Sequence, residues 1–262
     1  MRLRKVKIRN FRCYIDEVAV DFDSLTSIIG RNDAGKSTIL EALAIFFDQQ
    51  KPDIDDAAKD GLKSDMSITC EFDDLPEQLI VDSTSATTLA DEYLLNADGL
   101  LEVRRTFNGE LKTPTSKVFI RANHPSVENA GDLLMLKNSD LKKRATDLGV
   151  DLTSVNQRIN AELRSAIRAH IGELELKVSD IEVDTSPGAK ELYMRLKESF
   201  PAYFLFRSDR SSTDQDSEAQ DPMRVAVRLL LRSNASTSWR TDRSDVVEDQ
   251  SIVTRDCIGV EP

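Results

Sequence analysis

Apolar and polar positions alternate in two short runs near the start of the chain, Lys5-Val6-Lys7-Ile8 and Val18-Ala19-Val20-Asp21-Phe22. A period of two suits half-buried strands, and Ile15-Asp16-Glu17 between them suits a turn, so the pair predicts an antiparallel hairpin. A third apolar run, Leu25-Thr26-Ser27-Ile28-Ile29, predicts a strand leading into a helix from Lys36 through Leu40, Leu43, Phe46 and Phe47. The stretch 51–63 is rich in Asp, holds Pro52 and Gly61, and predicts an exposed loop. Alternation returns over Met66–Phe72, Leu101–Phe107 and Lys117–Ile120, and Asn108-Gly109 after the second run is a hairpin signal.

Further along, the period lengthens. Leu152, Val155, Ile159, Leu163, Ile167 and Ile171 recur at three- and four-residue steps, with Arg158, Glu162, Arg164 and Arg168 on the other side. This predicts a packing stripe within a helical stretch over 131–169. Ser154 and Gln157 have capping-box spacing and place a helix start near Ser154. A second helix is predicted over Ala189–Ser199, stopped ahead of Pro201, followed by a short buried strand over Ala202–Phe206. Residues 208–220 are rich in Ser and Asp, Met223–Leu231 suits a helix, and from Ser233 onward no period is sustained. The organisation expected is a lobe over 1–210, with a helical insert at about 128–200, and a poorly packed tail over 211–262.

Composition narrows the class. The 262 residues, 40% hydrophobic and 31% charged, suffice for one large or two small cores. No apolar run approaches the roughly 20 residues needed to cross a bilayer. The basic start leads into alternation and not into a signal-peptide apolar region, so a cytoplasmic protein without a membrane partner is expected. Cys13, Cys70 and Cys257 lack the spacing of a disulfide framework or a zinc site. A net charge of −11 excludes a chain that coats nucleic acid with its whole surface. It leaves room for a local patch, and Arg2, Arg4, Lys5, Lys7, Arg9 and Arg12 form one in the sequence. That patch reads either as a solvated strand face or as a phosphate contact. His124 and His170 have no metal-ligating partners at suitable spacing. Three Asp-x-Asp triplets, starting at Asp21, Asp53 and Asp214, are of a kind that arises easily among 46 acidic residues.

The candidate chemistry lies between the third predicted strand and the helix. Gly30-Arg31-Asn32-Asp33-Ala34-Gly35-Lys36-Ser37 fills every fixed position of G-x-x-x-x-G-K-[ST]. In that context the first N–H groups of the helix and its dipole would hold a di- or triphosphate, and the glycines would admit its oxygens. Lys36 would reach the β- and γ-phosphates, and the Ser37 hydroxyl would ligate Mg²⁺. ATP and Mg²⁺ are thus the expected cofactors, and Gly30 through Thr38 the expected binding residues.

Ile8-Arg9-Asn10-Phe11-Arg12, an alternating strand, and then Ile28 through Leu43 around the P-loop resemble the N-terminal lobe of ABC-type ATPase heads of the SMC, RecF and OLD group. The short strands after the P-loop and the helical insert are most similar to the ATPase part of OLD-family ATP-dependent endonucleases. The resemblance implies an α/β fold: a P-loop NTPase of the ABC/SMC-head type with an N-terminal β-hairpin and a mixed sheet. It implies that Arg12 lies near the nucleotide phosphates and that Asn32 is the asparagine such P-loops commonly carry. It also implies a homodimer of heads or a partner chain that completes the site, with DNA reached through a partner or a missing domain.

Three parts of the family pattern are not found in the sequence. One is the apolar strand ending in Asp-Glu that polarises the attacking water. Leu79-Ile80-Val81-Asp82 is followed by Ser83, and Val246-Val247-Glu248-Asp249 sits in the polar tail. The others are the Leu-Ser-x-Gly signature and the nuclease domain. The chain therefore reads as the front portion of a larger ATPase. The alternative is a nucleotide-binding regulatory module without its own hydrolysis.

Overall fold

The alternating runs become strands because each places its apolar side chains on one surface. The computed structural model describes residues 1–31, 34–82 and 85–205. In chain order it contains β1 (Arg2–Arg9), β2 (Val18–Asp21), α1 (Lys36–Phe46), β3 (Met66–Asp73), β4 (Leu79–Asp82), β5 (Ser85–Thr87) and β6 (Leu101–Phe107). There follow β7 (Ser116–Pro125), α2 (Asn138–Asp147), α3 (Asn160–Ile171), β8 (Leu176–Glu182) and α4 (Pro187–Glu198). Six strands form one sheet in the order β2-β1-β3-β6-β7-β8, and β4 pairs with β5 in a separate two-stranded sheet.

All ladders among the described residues are antiparallel. Their register aligns Val6, Cys70, Val103, Ile120 and Ile181 in one row across five strands. All five are buried, and the same cluster takes in Ile39, Leu43 and Phe46 of α1 and Leu192 and Leu196 of α4. Each such side chain contributes about 1.5–3 kcal/mol of burial, which is what presses α1 onto the sheet. The next row, one residue over, reads Lys5, Glu71, Glu102, Arg121 and Asp180 and lies on the opposite, polar face.

The far end of α1 is held from two sides. Arg105 is the one charged residue among the inward positions of β6, and it donates to Ile45 O (3.2 Å), Phe46 O (2.8 Å) and Asp48 (2.6 Å). Ile45 O also accepts from Asp48 N at 3.1 Å, and the guanidinium adds a donor to it and supplies one to Phe46 O, capping the helix end. After α4, Phe200 stacks on Phe72 at 5.0 Å between ring centres, and the Tyr203 hydroxyl donates to Leu40 O at 2.7 Å.

α2 and α3 pack through Leu133, Leu141, Ala145, Leu163 and Ile167, a second small core. Here the structure departs from the sequence pattern. α3 begins at Asn160, not near Ser154, and no side chain caps it. Arg164 and Arg168, expected on the solvent side, are buried, with side-chain exposures of 2% and 6%. Both pair with Glu92, itself 1% exposed, at 2.6 and 3.1 Å. Desolvation alone would raise the Glu92 carboxyl, but the hydrogen bonds and charges of the two arginines outweigh it and hold its pKa low.

The segment 128–200 holds α2 and α3 up to Ile171 and then returns to the sheet as β8, whose four exposed residues blur its alternation. Asn108-Gly109 does open a hairpin, although pairing resumes at Phe107↔Ser116, so the loop is eight residues long. Within 51–63, Asp56, Ala57 and Ala58 are buried, where an exposed loop is expected. Leu25–Ile29 belongs to no described strand, and Leu25 and Ile29 are 88% and 92% exposed. Residues 202–205 form no strand. The expected helix over Met223–Leu231, the tail, Val246–Asp249, Asp214-Gln215-Asp216 and Cys257 lie outside the described residues.

Candidate functional site

α1 starts at Lys36, and Gly35 before it takes the left-handed backbone, φ 83° and ψ 5°. A β-carbon on Gly35 would lie 2.6 Å from Tyr14 Oη and 2.9 Å from Cys13 Sγ. Among the described residues, no side chain caps the start of α1 and its first turn holds no acidic residue. Its N–H groups and the positive end of its dipole are therefore left for an anion.

Lys36 turns back into the loop. Its Nζ donates to Gly30 O at 2.7 Å and to Arg31 O at 2.6 Å, so the loop is drawn around the ammonium group. Ala34 N donates to Arg31 O at 3.2 Å within the same turn. Ser37 is exposed at the second helical position, while Thr38 is buried with Cys13 Sγ 3.8 Å from its Oγ1. A β-carbon on Gly30 would make only an ordinary contact, with Ala34 Cβ at 3.5 Å. Asn32 and Asp33 lie outside the described residues. The structure thus brings together Gly30, Arg31, Ala34, Gly35, Lys36, Ser37 and Thr38 around one helix start.

The Asn-Phe-Arg segment reaches the same helix by a tight turn. Asn10 and Arg12 both have positive φ, 51° and 49°. Asn10 is buried and holds the segment before β3, donating to Asp65 O and accepting from Leu62 N, each at 3.1 Å. Phe11 lies in the core. The Arg12 guanidinium is shared between Asp56, at 2.8 Å, and Glu41 of α1. The Tyr14 hydroxyl donates to Gly35 O at 3.1 Å. Glu41, Asp56 and Tyr14 escape sequence reasoning. Glu41 had a signal, since it follows Ser37 by four residues and shares its face of the helix. Asp56 had none, because its link to Arg12 spans the whole of α1.

The basic patch of the first strand is neutralised in the fold. Arg2 pairs with Asp73 (2.7 Å), Arg4 with Asp23 (3.0 Å), Lys5 with Asp21 (3.3 Å) and Arg9 with Asp65 (3.3 Å). Lys7 sits between Glu71 (2.5 Å) and Glu102 (3.0 Å). Burial would lower its pKa, but the two carboxylates outweigh that and raise it. A phosphate backbone would have to displace these acids to be held there.

The candidate acidic strand Leu79–Asp82 is β4, paired with β5 and outside the six-stranded sheet. Among the described residues no group of three or more His, Cys, Asp or Glu is placed to hold a metal ion, and no helix is long and apolar enough to cross a membrane. His124 is in β7 and not in a loop; it is buried with its ring nitrogens 3.0 Å from Tyr93 O and 3.2 Å from Gly131 O. His170 is exposed on α3.

A phosphate-loop sequence turning through a left-handed glycine into an uncapped helix, on a sheet of an α/β lobe, marks a nucleotide-binding ATPase module. The match to known proteins has the same sense. Residues 1–250 fit the model of the AAA ATPase domain, and the chain belongs to that family. No curated protein matches the chain. Among solved structures, one from work on the ATP-driven dimerization and DNA-stimulated activation of SMC ATPases is similar over 45% of this chain and 68% of that chain, at 14% identity and a TM-score of 0.32.

Proposed function

We propose that the chain binds ATP with Mg²⁺ through Gly30–Thr38 and serves as the ATP-binding part of an OLD-like ATP-dependent DNA endonuclease or a related DNA-repair or phage-defence ATPase. In this reading ATP binding drives association of two heads, and DNA is handled by a partner or a further domain. The observation that carries ATP binding is the uncapped start of α1 behind Gly35, with Lys36 already folded into the loop. The Ser37 hydroxyl, exposed at the helix start, suits a Mg²⁺ ligand. Bound there, Mg²⁺ would neutralise charge on the β- and γ-phosphates. The family membership supports nucleotide use in general; Asn10-Phe11-Arg12 and the P-loop sequence support the head-type group, and the OLD assignment rests on the resemblance of the short strands after the P-loop and of the helical insert. The ion-paired first strand favours DNA contact elsewhere.

A second reading is a nucleotide-binding module that does not turn over alone and is completed in trans. It is favoured by one observation: Glu41 and Asp56, the carboxylates bonded beside α1, are both engaged by Arg12. Titration of the chain with a fluorescent ATP analogue and Mg²⁺, together with a phosphate-release assay, tests both. Micromolar binding that Lys36→Ala removes supports ATP binding, and the absence of binding in the parent chain refutes it. Binding without turnover favours completion in trans, and brisk turnover by the isolated chain refutes that second reading.

A further inference from the structure

Two cations of the proposed site, Lys36 and Arg12, already have partners inside the chain. Lys36 is held by the carbonyls of its own loop. Arg12 is held by two carboxylates of different character. Asp56 is fixed: its side chain is 4% exposed, its Oδ2 accepts from Asp53 N at 2.8 Å, and its backbone carbonyl accepts from Arg12 N at 2.7 Å. It takes Nε and one terminal nitrogen of the guanidinium, each at 2.8 Å. Glu41 takes the remaining nitrogen, and it is half-buried on α1. It stands three and four residues after Thr38 and Ser37, on the helix face that leads up to the phosphate-binding turn. An arginine fork presents separate edges to separate anions. One edge of Arg12 is thus anchored, and the other is lent to a carboxylate one turn of helix from where phosphate would sit.

We propose that Glu41 is a built-in competitor for the nucleotide. It holds the free edge of Arg12 against α1 when the site is empty, and a phosphate of ATP takes that edge over, with Asp56 as the pivot on which the guanidinium turns. The proposal rests on the reading of Gly30–Thr38 as the ATP site. Its consequence is that Glu41 lowers ATP affinity and does not contribute to it. A carboxylate that merely braced the loop would act in the opposite direction.

The test is ATP-analogue titration with Mg²⁺ on the full chain, its Glu41→Gln variant, Arg12→Ala and the double variant, with thermal melting to show that each folds. Glu41→Gln keeps the shape of the side chain and removes its charge. Release of a half-exposed ion pair predicts binding roughly two- to fivefold tighter. Arg12→Ala weakens binding, and in that background Glu41→Gln has no further effect. Unchanged or weaker binding by Glu41→Gln, in a chain whose parent binds ATP, overturns the competitor role and leaves the ATP site standing. A gain that persists without Arg12 overturns it too. Failure of both parent and Glu41→Gln to bind overturns both readings together.

Discussion

Replacing Gly35 by alanine tests the geometry of the loop more sharply than removing a charge. Two costs follow from its position. The left-handed backbone, φ 83°, costs an L-residue about 1–2 kcal/mol. The new β-carbon would also stand 2.6 Å from Tyr14 Oη, 2.9 Å from Tyr14 Cζ and 2.9 Å from Cys13 Sγ, so the ring must move off its hydrogen bond to Gly35 O. Overpacking of that kind costs about 1–3 kcal/mol. Together these give roughly 2–5 kcal/mol. If the strain is relieved by a loop shape unfit for phosphate, ATP affinity falls at least about 30-fold. The assay is analogue titration alongside thermal melting, with Tyr14→Ala as a second site. Truncating the ring removes the tyrosine's share of the steric part and leaves the Cys13 contact and the backbone part, so Gly35→Ala should cost less in the Tyr14→Ala background than alone. Gly35→Ala with unaltered affinity and melting temperature would refute the argument, and equal losses in both backgrounds would refute the role given to Tyr14.

Glu92→Gln leaves Arg164 and Arg168 buried without a carboxylate; the expected loss is about 3–5 kcal/mol, a melting temperature lower by roughly 6–20 °C, and a shift under 2 °C would contradict it. Acid should destabilise the fold in two stages. The His124 pKa is lowered by burial, so its contribution is present above the ordinary histidine value of about 6.5 and is lost as pH falls below it. Asp132, held low by hydrogen bonds from Arg144, and Glu92 are likewise lowered, and their contribution is lost only as pH falls through about 4 and below. Melting between pH 3 and 8 checks the order, and stability rising on acidification would overturn it. Arg105→Met removes the side-chain donor to Phe46 O and leaves Ile45 O with Asp48 N alone, and should cost about 1–3 kcal/mol, read as a lower melting temperature.

Local chemistry made the strands legible, and distance along the chain hid the rest. Val6 and Ile8 or Ile68 and Cys70 alternate within one strand, so the period alone revealed the sheet's inner face. The P-loop pattern was legible for the same reason, since it lies in eight consecutive residues, of which Gly35 and Lys36 form the described helix start. Arg164 and Arg168 misled because a helix wheel assigns charge to solvent, whereas Glu92, 72 residues from Arg164, takes them inside. Leu25–Ile29 misled in the other direction, as an apolar run implies a strand only where a neighbour pairs with it, and none is described. The three-residue helical turn Ile54–Asp56 was invisible because its value lies in Arg12, on the far side of α1 in the chain.

The pairing of the first strand's cations also sets an order of events during synthesis. Arg4 waits 19 residues for Asp23, Arg2 waits 71 for Asp73 and Lys7 waits 95 for Glu102. β1 is flanked by β2 and β3, so it cannot be enclosed until residue 73 has left the ribosome. Until β3 is made, Arg2 and Lys7 lack the acids Asp73 and Glu71 that pair with them in the fold, whereas Arg4 and Lys5 need only Asp23 and Asp21 of the preceding hairpin.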